Sequence, residues 1–248
     1  MARFDTSAAL AQIASIVVLL ALWAAAAIIV DMRALPAPWL VFATLGELIL
    51  SGQAFAPLGE TLGRTLAGFG LGMVLGTGYG IAAALSRTFR ELTLWLLQIS
   101  IFTPTLILIF LFLISLGRTN LTVIALVGLV VMPVVGTYIR DAMGDFEDEL
   151  TEMADSFKIG LRERVTGMYL PFLVPPLLAA GRVAFTLAWK VAFLSEIFGF
   201  PNGIGWQVKT GYDIYNIQLL LAWLMLFIFV LLIAEQLMRL AQRRFVKW

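Results

Sequence analysis

The chain has 248 residues, 61% hydrophobic and 13% charged, with a formal net charge of +1 and a mean hydropathy of +0.95. Soluble domains run about 45–50% apolar and about 25% charged, so this composition excludes a water-soluble fold. Neither Cys nor His occurs, which excludes disulfides, thiolate nucleophiles, Cys/His metal centres and His-dependent relays, and no basic run supports nucleic-acid binding.

Six apolar stretches have the roughly 20-residue length a helix needs to cross a hydrocarbon core of about 30 Å. They are residues 12–30, 62–85, 92–116, 121–138, 175–198 and 217–238. The first is too long for the core of a cleaved leader, and no small-residue cleavage site precedes Asp31-Met32-Arg33. Between the first two, residues 35–59 carry Pro36, Pro38 and Pro57. Their apolar middle, 39–50, is too short to cross and is predicted to lie along the interface.

The second stretch contains Gly68, Gly72, Gly76 and Gly80. Their four-residue step keeps them on one helix face, where a neighbouring backbone can approach closely. That face serves packing within one subunit, a dimer contact or a sliding surface. Tyr79, Gln98, Thr103, Thr105, Thr137 and Tyr138 lie in or near spans, and their polar groups either satisfy backbone carbonyls freed beside Pro104 and Pro133 or contact substrate.

Charge orients the bundle. With a cytoplasmic N-terminus, eleven cations (Arg3, Arg87, Arg90, Arg140, Lys158, Arg162, Arg164, Arg239, Arg243, Arg244 and Lys247) fall on the inner side. Four (Arg33, Arg64, Arg118 and Lys209) fall outside, and Arg182 and Lys190 lie within the fifth stretch. By the positive-inside rule both termini are cytoplasmic.

Residues 140–169 form the long inner loop. In it Leu150, Met153, Ala154 and Phe157 fall at i, i+3, i+4 and i+7, one apolar helical stripe flanked by Glu149, Glu152 and Asp155. Such a helix could lie on the membrane, pack on its own bundle or enter a groove on a partner. The acidic run Asp141, Asp145, Glu147, Asp148, Glu149, Glu152, Asp155 disfavours anionic headgroups.

Glu152-Met153-Ala154, followed by Met168-Tyr169-Leu170-Pro171, resembles the cytoplasmic signature of bacterial ABC importer permeases: E-A-A, three residues, G, nine residues, I-x-L-P. Lys158 stands at the signature glycine with Gly160 two residues on, and Met153 replaces the first alanine. Leu66-Ala67-Gly68-Phe69, the Pro104 region, Ser195-Glu196-Ile197-Phe198-Gly199, Asn202-Gly203-Ile204-Gly205 and the ending at Trp248 are similar to the nitrate/sulfonate/taurine branch. The resemblance implies an all-α integral membrane protein with six transmembrane helices and a cytoplasmic coupling helix between spans four and five. It also implies a single transmembrane domain over 1–248, with its core at 60–240. The implied partners are a cytoplasmic ABC ATPase dimer, a second permease copy, an external substrate-binding protein and the lipid of a bacterial inner membrane. Leu150, Glu152, Met153, Ala154, Phe157, Lys158, Gly160, Leu170 and Pro171 would form the ATPase-coupling interface. At Lys158, three expectations stand: Gly160 takes over the turn, the lysine places a charge at the ATPase, or it is a solvated side chain on an ordinary helix.

None of the four lysines follows the glycine of a phosphate-loop motif, so the chain itself is expected to bind no cofactor, with ATP and Mg on the partner ATPase. A secondary transporter would want midplane acids and repeated halves, and neither stands out. No catalytic constellation assembles either.

The fifth stretch carries the costliest residues, because a charge at mid-membrane usually faces a bundle interior or water. At about 100° per residue, Arg182, Thr186, Trp189, Lys190, Phe193 and Glu196 share a sector of about 120°. Thr186, Trp189, Lys190, Phe193 and Glu196 are therefore expected to line the translocation path, with Lys190 attracting an anion. The competing expectation pairs Lys190 with Glu235 or Glu196. Residues 199–216, rich in Gly and turn residues, read as a loop.

Overall fold

The computed structural model describes the chain apart from residues 1–5, 31–33, 145, 147–152, 155 and 246–248. Helices α1 (Thr6–Val30), α2 (Pro38–Leu50), α3 (Phe55–Leu85), α4 (Arg87–Phe102), α5 (Thr105–Leu116) and α6 (Asn120–Gly144) precede the inner loop. After it come α7 (Leu170–Gly199), α8 (Ile204–Asp213) and α9 (Ile217–Phe245).

The glycine stripe of α3 sets the framework. A Cβ on Gly68 would lie 2.6 Å from Val127 Cβ; on Gly72, 2.5 Å from Val131 Cβ; on Gly76, 2.7 Å from Val135 Cβ; on Gly80, 2.7 Å from Ile139 Cβ. Each four-residue step along α3 meets a four-residue step along α6 in the same direction, so the two helices run parallel in close contact. Lipid tails are as apolar as the side chains, so this close packing is what holds the pair together. The glycines serve packing within the subunit.

A parallel pair forces the chain between them to return. Residues 86–119 run from the far end of α3 back to Asn120, whose Oδ1 accepts from Arg64 Nε at 2.8 Å near the start of α3. The straight span expected at 92–116 is instead broken: α4 and α5 meet at 97°. The cause is Pro104, which supplies no N–H and holds Thr103 extended (φ −68°, ψ 123°). With five long apolar helices, this bent return makes the sixth crossing.

Helix α7 stands between two cores. Ala180, Ala184, Ala188 and Ala192 pack with Val123, Val127, Val131 and Val135 of α6. On the opposite side Phe185, Trp189 and Phe193 join Val41 and Leu45 of α2 and Trp223 and Phe227 of α9. The stretch at 39–50 is thus a helix with one face on the bundle, while Trp39 and Leu50 stay exposed.

Residues 199–216 are not the loop expected from their glycines, since α8 occupies most of them. Gly205 and Gly211 serve close approach: a Cβ on Gly211 would meet Leu220 N at 2.9 Å, and one on Gly205 would collide with Phe193 O.

Candidate functional site: the inner loop and the open face of α7

Leu150, Glu152 and Asp155 lie outside the described residues. Met153 and Ala154 are helical, and Phe157 N donates to Met153 O at 3.0 Å. Ile159 N then donates back to Ala154 O at 3.0 Å, while Lys158 adopts φ 50°. This six-to-one bond across a left-handed residue is the Schellman ending of a helix, in which the left-handed position is usually glycine. The signature glycine is therefore explained as a helix stop.

Here Lys158 makes that stop itself, at a steric cost of about 1–2 kcal/mol. Gly160 does not take over the turn, since its φ is not positive, and Lys158 is not on an ordinary helix. Arg164 braces the ending, donating from Nε to Ile159 O at 2.8 Å and from Nη2 to Ala154 O at 3.2 Å. Ala154 is fully buried, whereas Met153 is 46% and Phe157 75% exposed. Two large apolar side chains thus stand uncovered beside a fixed helix end.

The far side of the loop is equally tied. Phe146 packs between Tyr169 (5.0 Å) and Phe172 (4.9 Å). Residues Val165–Tyr169 form a π-helical turn just before Leu170 and Pro171. Pro171 has no N–H, and its ring crowds the carbonyl four residues earlier, which favours a widened turn there.

The polar-aromatic sector of α7 divides between two environments. Trp189 is buried, stacked on Phe227 at 5.3 Å with Nε1 donating to Phe227 O at 3.1 Å. Phe193 lies 4.2 Å from the same ring. These two and Glu196 are closed inside the subunit's own core, which corrects the expectation that all five residues share a water-filled path. A sector of about 120° is wide enough to straddle a core and an open face. Lys190 is exposed beside half-buried Thr186 and Leu194, and it forms no ion pair among the described residues. The structural pairings considered for it are taken by others: Glu235 accepts from Arg239 at 2.6 Å, and Glu196 holds Arg64.

Arg64 forms a buried polar centre that the sequence did not announce. It is 4% exposed and donates from Nη1 to Glu196 Oε1 at 2.7 Å and from Nη2 to Asn202 Oδ1. Its guanidinium lies 4.9 Å from the Phe200 ring centre. Thr61 Oγ1 donates to Glu196 Oε2 at 2.9 Å and accepts from Ile204 N at 2.9 Å, and Gly205 N donates to Glu196 Oε2 at 3.0 Å. Gly203 sits at φ 95°, and a Cβ there would collide with the Glu196 carboxyl. The glycines at 203 and 205 therefore let backbone wrap the carboxylate and satisfy it. The available signal was an arginine inside an apolar helix together with an uncompensated acid in another.

At the opposite end, Arg182 lines a cavity of about 510 Å³ with Arg239, Gln242 and Arg243.

A parallel glycine-packed pair, a broken return crossing and a loop presenting a capped helix end define a multi-pass membrane transport subunit. The chain belongs to the family of binding-protein-dependent transport system inner membrane components, whose model matches residues 68–247. It is similar to a Bacillus subtilis (strain 168) protein named as an aliphatic sulfonates transport permease, SsuC, at 26% identity over 89% of this chain and 80% of that one. A protein of Brucella melitensis biotype 1 named as an ABC transporter permease is 25% identical over 86% of this chain and 87% of its own. Among solved structures, a chain of the MetNI methionine ABC transporter in inward-facing conformations superposes with TM-score 0.60 at 21% identity, over 76% of this chain and 92% of that one. It shares the fold. The chain is thus an ABC importer permease and not an enzyme; ATP hydrolysis resides on a separate ATPase.

Proposed function

We propose that this chain, as a homodimer with both termini cytoplasmic, carries a small organic anion of the sulfonate class inward by alternating access. The ATPase would engage the loop at 140–169 through Leu150, Glu152, Met153 and Phe157, with Ala154 itself buried. ATP and Mg would stay on that subunit, an external binding protein would deliver the solute, and lipid would surround the 60–240 core. The observation that carries the coupling is the pair of exposed apolar side chains, Met153 and Phe157, beside a helix end fixed by Lys158 and Arg164. An amphipathic helix with its apolar face uncovered fits a groove on a partner.

The substrate class rests on the open face of α7, where Lys190 is an unpaired cation within a span. Intramembrane charge is costly and marks an ion pathway by default. The similarity to a sulfonate permease points the same way. Co-purification with the ATPase tests the coupling. Phe157→Asp should abolish the association while the permease stays monodisperse; a complex that survives Phe157→Asp and Glu152→Arg contradicts it.

A further inference from the structure

At the end of α7 that carries Glu196, a cavity of about 250 Å³ lies on the open side of the helix, lined by Ile197, Phe198, Phe200, Trp206, Arg118 and Lys209. Three of its walls are aromatic. Two cations reach it from separate segments, Arg118 from the turn between α5 and α6 and Lys209 from α8.

Arg118 is exposed and makes no hydrogen bond or ion pair among the described residues. Lys209 is paired with Asp213, and its Nζ stands 5.8 Å from the Trp206 ring centre. The cavity's surplus charge therefore resides on Arg118. The neighbouring acid, Glu196, offers little repulsion, because its carboxylate points into the core and is neutralised by Arg64.

Ile197 lines this cavity, and Lys190 lies seven residues earlier on the same helix face, about 10 Å along the axis. A cationic, aromatic pocket thus opens directly onto the face that holds the unpaired intramembrane cation. We propose that this cavity is the membrane subunit's first binding station for a small organic anion, which it receives at the outer surface and passes to Lys190. The proposal rests on the importer reading above and names the site at which that reading begins.

The walls and size select the guest. Sites for drug-sized ligands run about 300–1,000 Å³, so this one suits a few heavy atoms. A guanidinium offers paired donors to a planar or tetrahedral oxyanion, and aromatic walls favour an apolar body attached to it. An alkanesulfonate meets both conditions; nitrate or sulfate meets only the first.

The test uses ethanesulfonate as probe, with the purified full chain for binding and the assembled transporter for uptake. Tryptophan fluorescence should respond to ethanesulfonate, and Trp206→Phe should remove the responding component. Arg118→Gln should weaken binding about tenfold or more, as expected for losing a hydrogen bond to a charged group, and Arg118→Lys should recover part of it. In uptake, Arg118→Gln should raise KM by a similar factor at unchanged kcat. If the wild-type complex transports ethanesulfonate yet no Trp206-dependent binding exists, or Arg118→Gln leaves KM unchanged, the station is overturned and the importer reading stands. If the complex does not transport ethanesulfonate, the sulfonate-class substrate reading fails and the station fails with it.

Discussion

Arg64 Nη1 and Glu196 Oε1 meet at 2.7 Å with 4% and 0% of their side chains exposed, joining α3 to α7 across 132 residues of sequence. The further donors to the carboxylate among the described residues are the Thr61 hydroxyl and the backbone N–H of Gly205 in the first turn of α8. The ion pair therefore fixes one end of two long helices and the turn that leads to α8.

Removing one partner of a buried pair leaves an uncompensated charge and typically costs about 3–5 kcal/mol. Glu196→Leu and Arg64→Met should each destabilise the purified permease by that order. The double variant should lose less than the sum, because no charge is stranded. Thermal unfolding in detergent reads the difference, and strict additivity would show that the two side chains act independently.

Lys158 carries the strain of a left-handed helix stop. Lys158→Gly should release about 1 kcal/mol, which pre-organises the loop and tightens ATPase binding about fivefold. Lys158→Val, β-branched at positive φ, should weaken it. The affinity of permease for ATPase, measured across the three side chains, should rank Gly above Lys above Val.

The α3–α6 seam leaves no room for a methyl group. Gly72→Ala places a Cβ 2.5 Å from Val131 Cβ and should cost about 1–3 kcal/mol by overpacking. Val131→Gly in the same chain removes the obstructing atoms and should recover much of the melting temperature. If the second substitution deepens the loss, the two helices do not meet at that level.

Lys190 projects from the open face of α7 without an anionic partner among the described residues. Lys190→Gln should raise the transport KM for an alkanesulfonate about tenfold, the scale of a lost charged hydrogen bond, with assembly intact. An unchanged KM would remove this lysine from the path.

Much of this architecture was legible in the chain. The glycine step follows from one periodicity and corresponds to local structure, and five of the six apolar lengths are long helices. Of the loop's stripe, Met153 and Ala154 are helical while Leu150 lies outside the described residues. What escaped was long-range. Nothing near Arg64 announces Glu196, so an arginine two residues inside an apolar run read as an outer-loop charge. Helix α8 was obscured because Gly203, Gly205 and Gly211 read as turn residues, although two of them clear space for the backbone at Phe193 and Leu220. The sector on α7 was correctly drawn as a stripe of polar and aromatic residues. Its division into a core half with Trp189, Phe193 and Glu196 and an open half with Lys190 depends on α9 and α3, which no helical projection contains.

Reconstitution tests the central claim most directly. Proteoliposomes holding the permease, its ATPase and internal ATP, with binding protein and radiolabelled ethanesulfonate outside, should accumulate the label. Omitting the ATPase, or replacing Phe157 by Asp, should abolish accumulation. Uptake against a gradient by this chain alone would contradict the assignment of a permease driven through its inner loop.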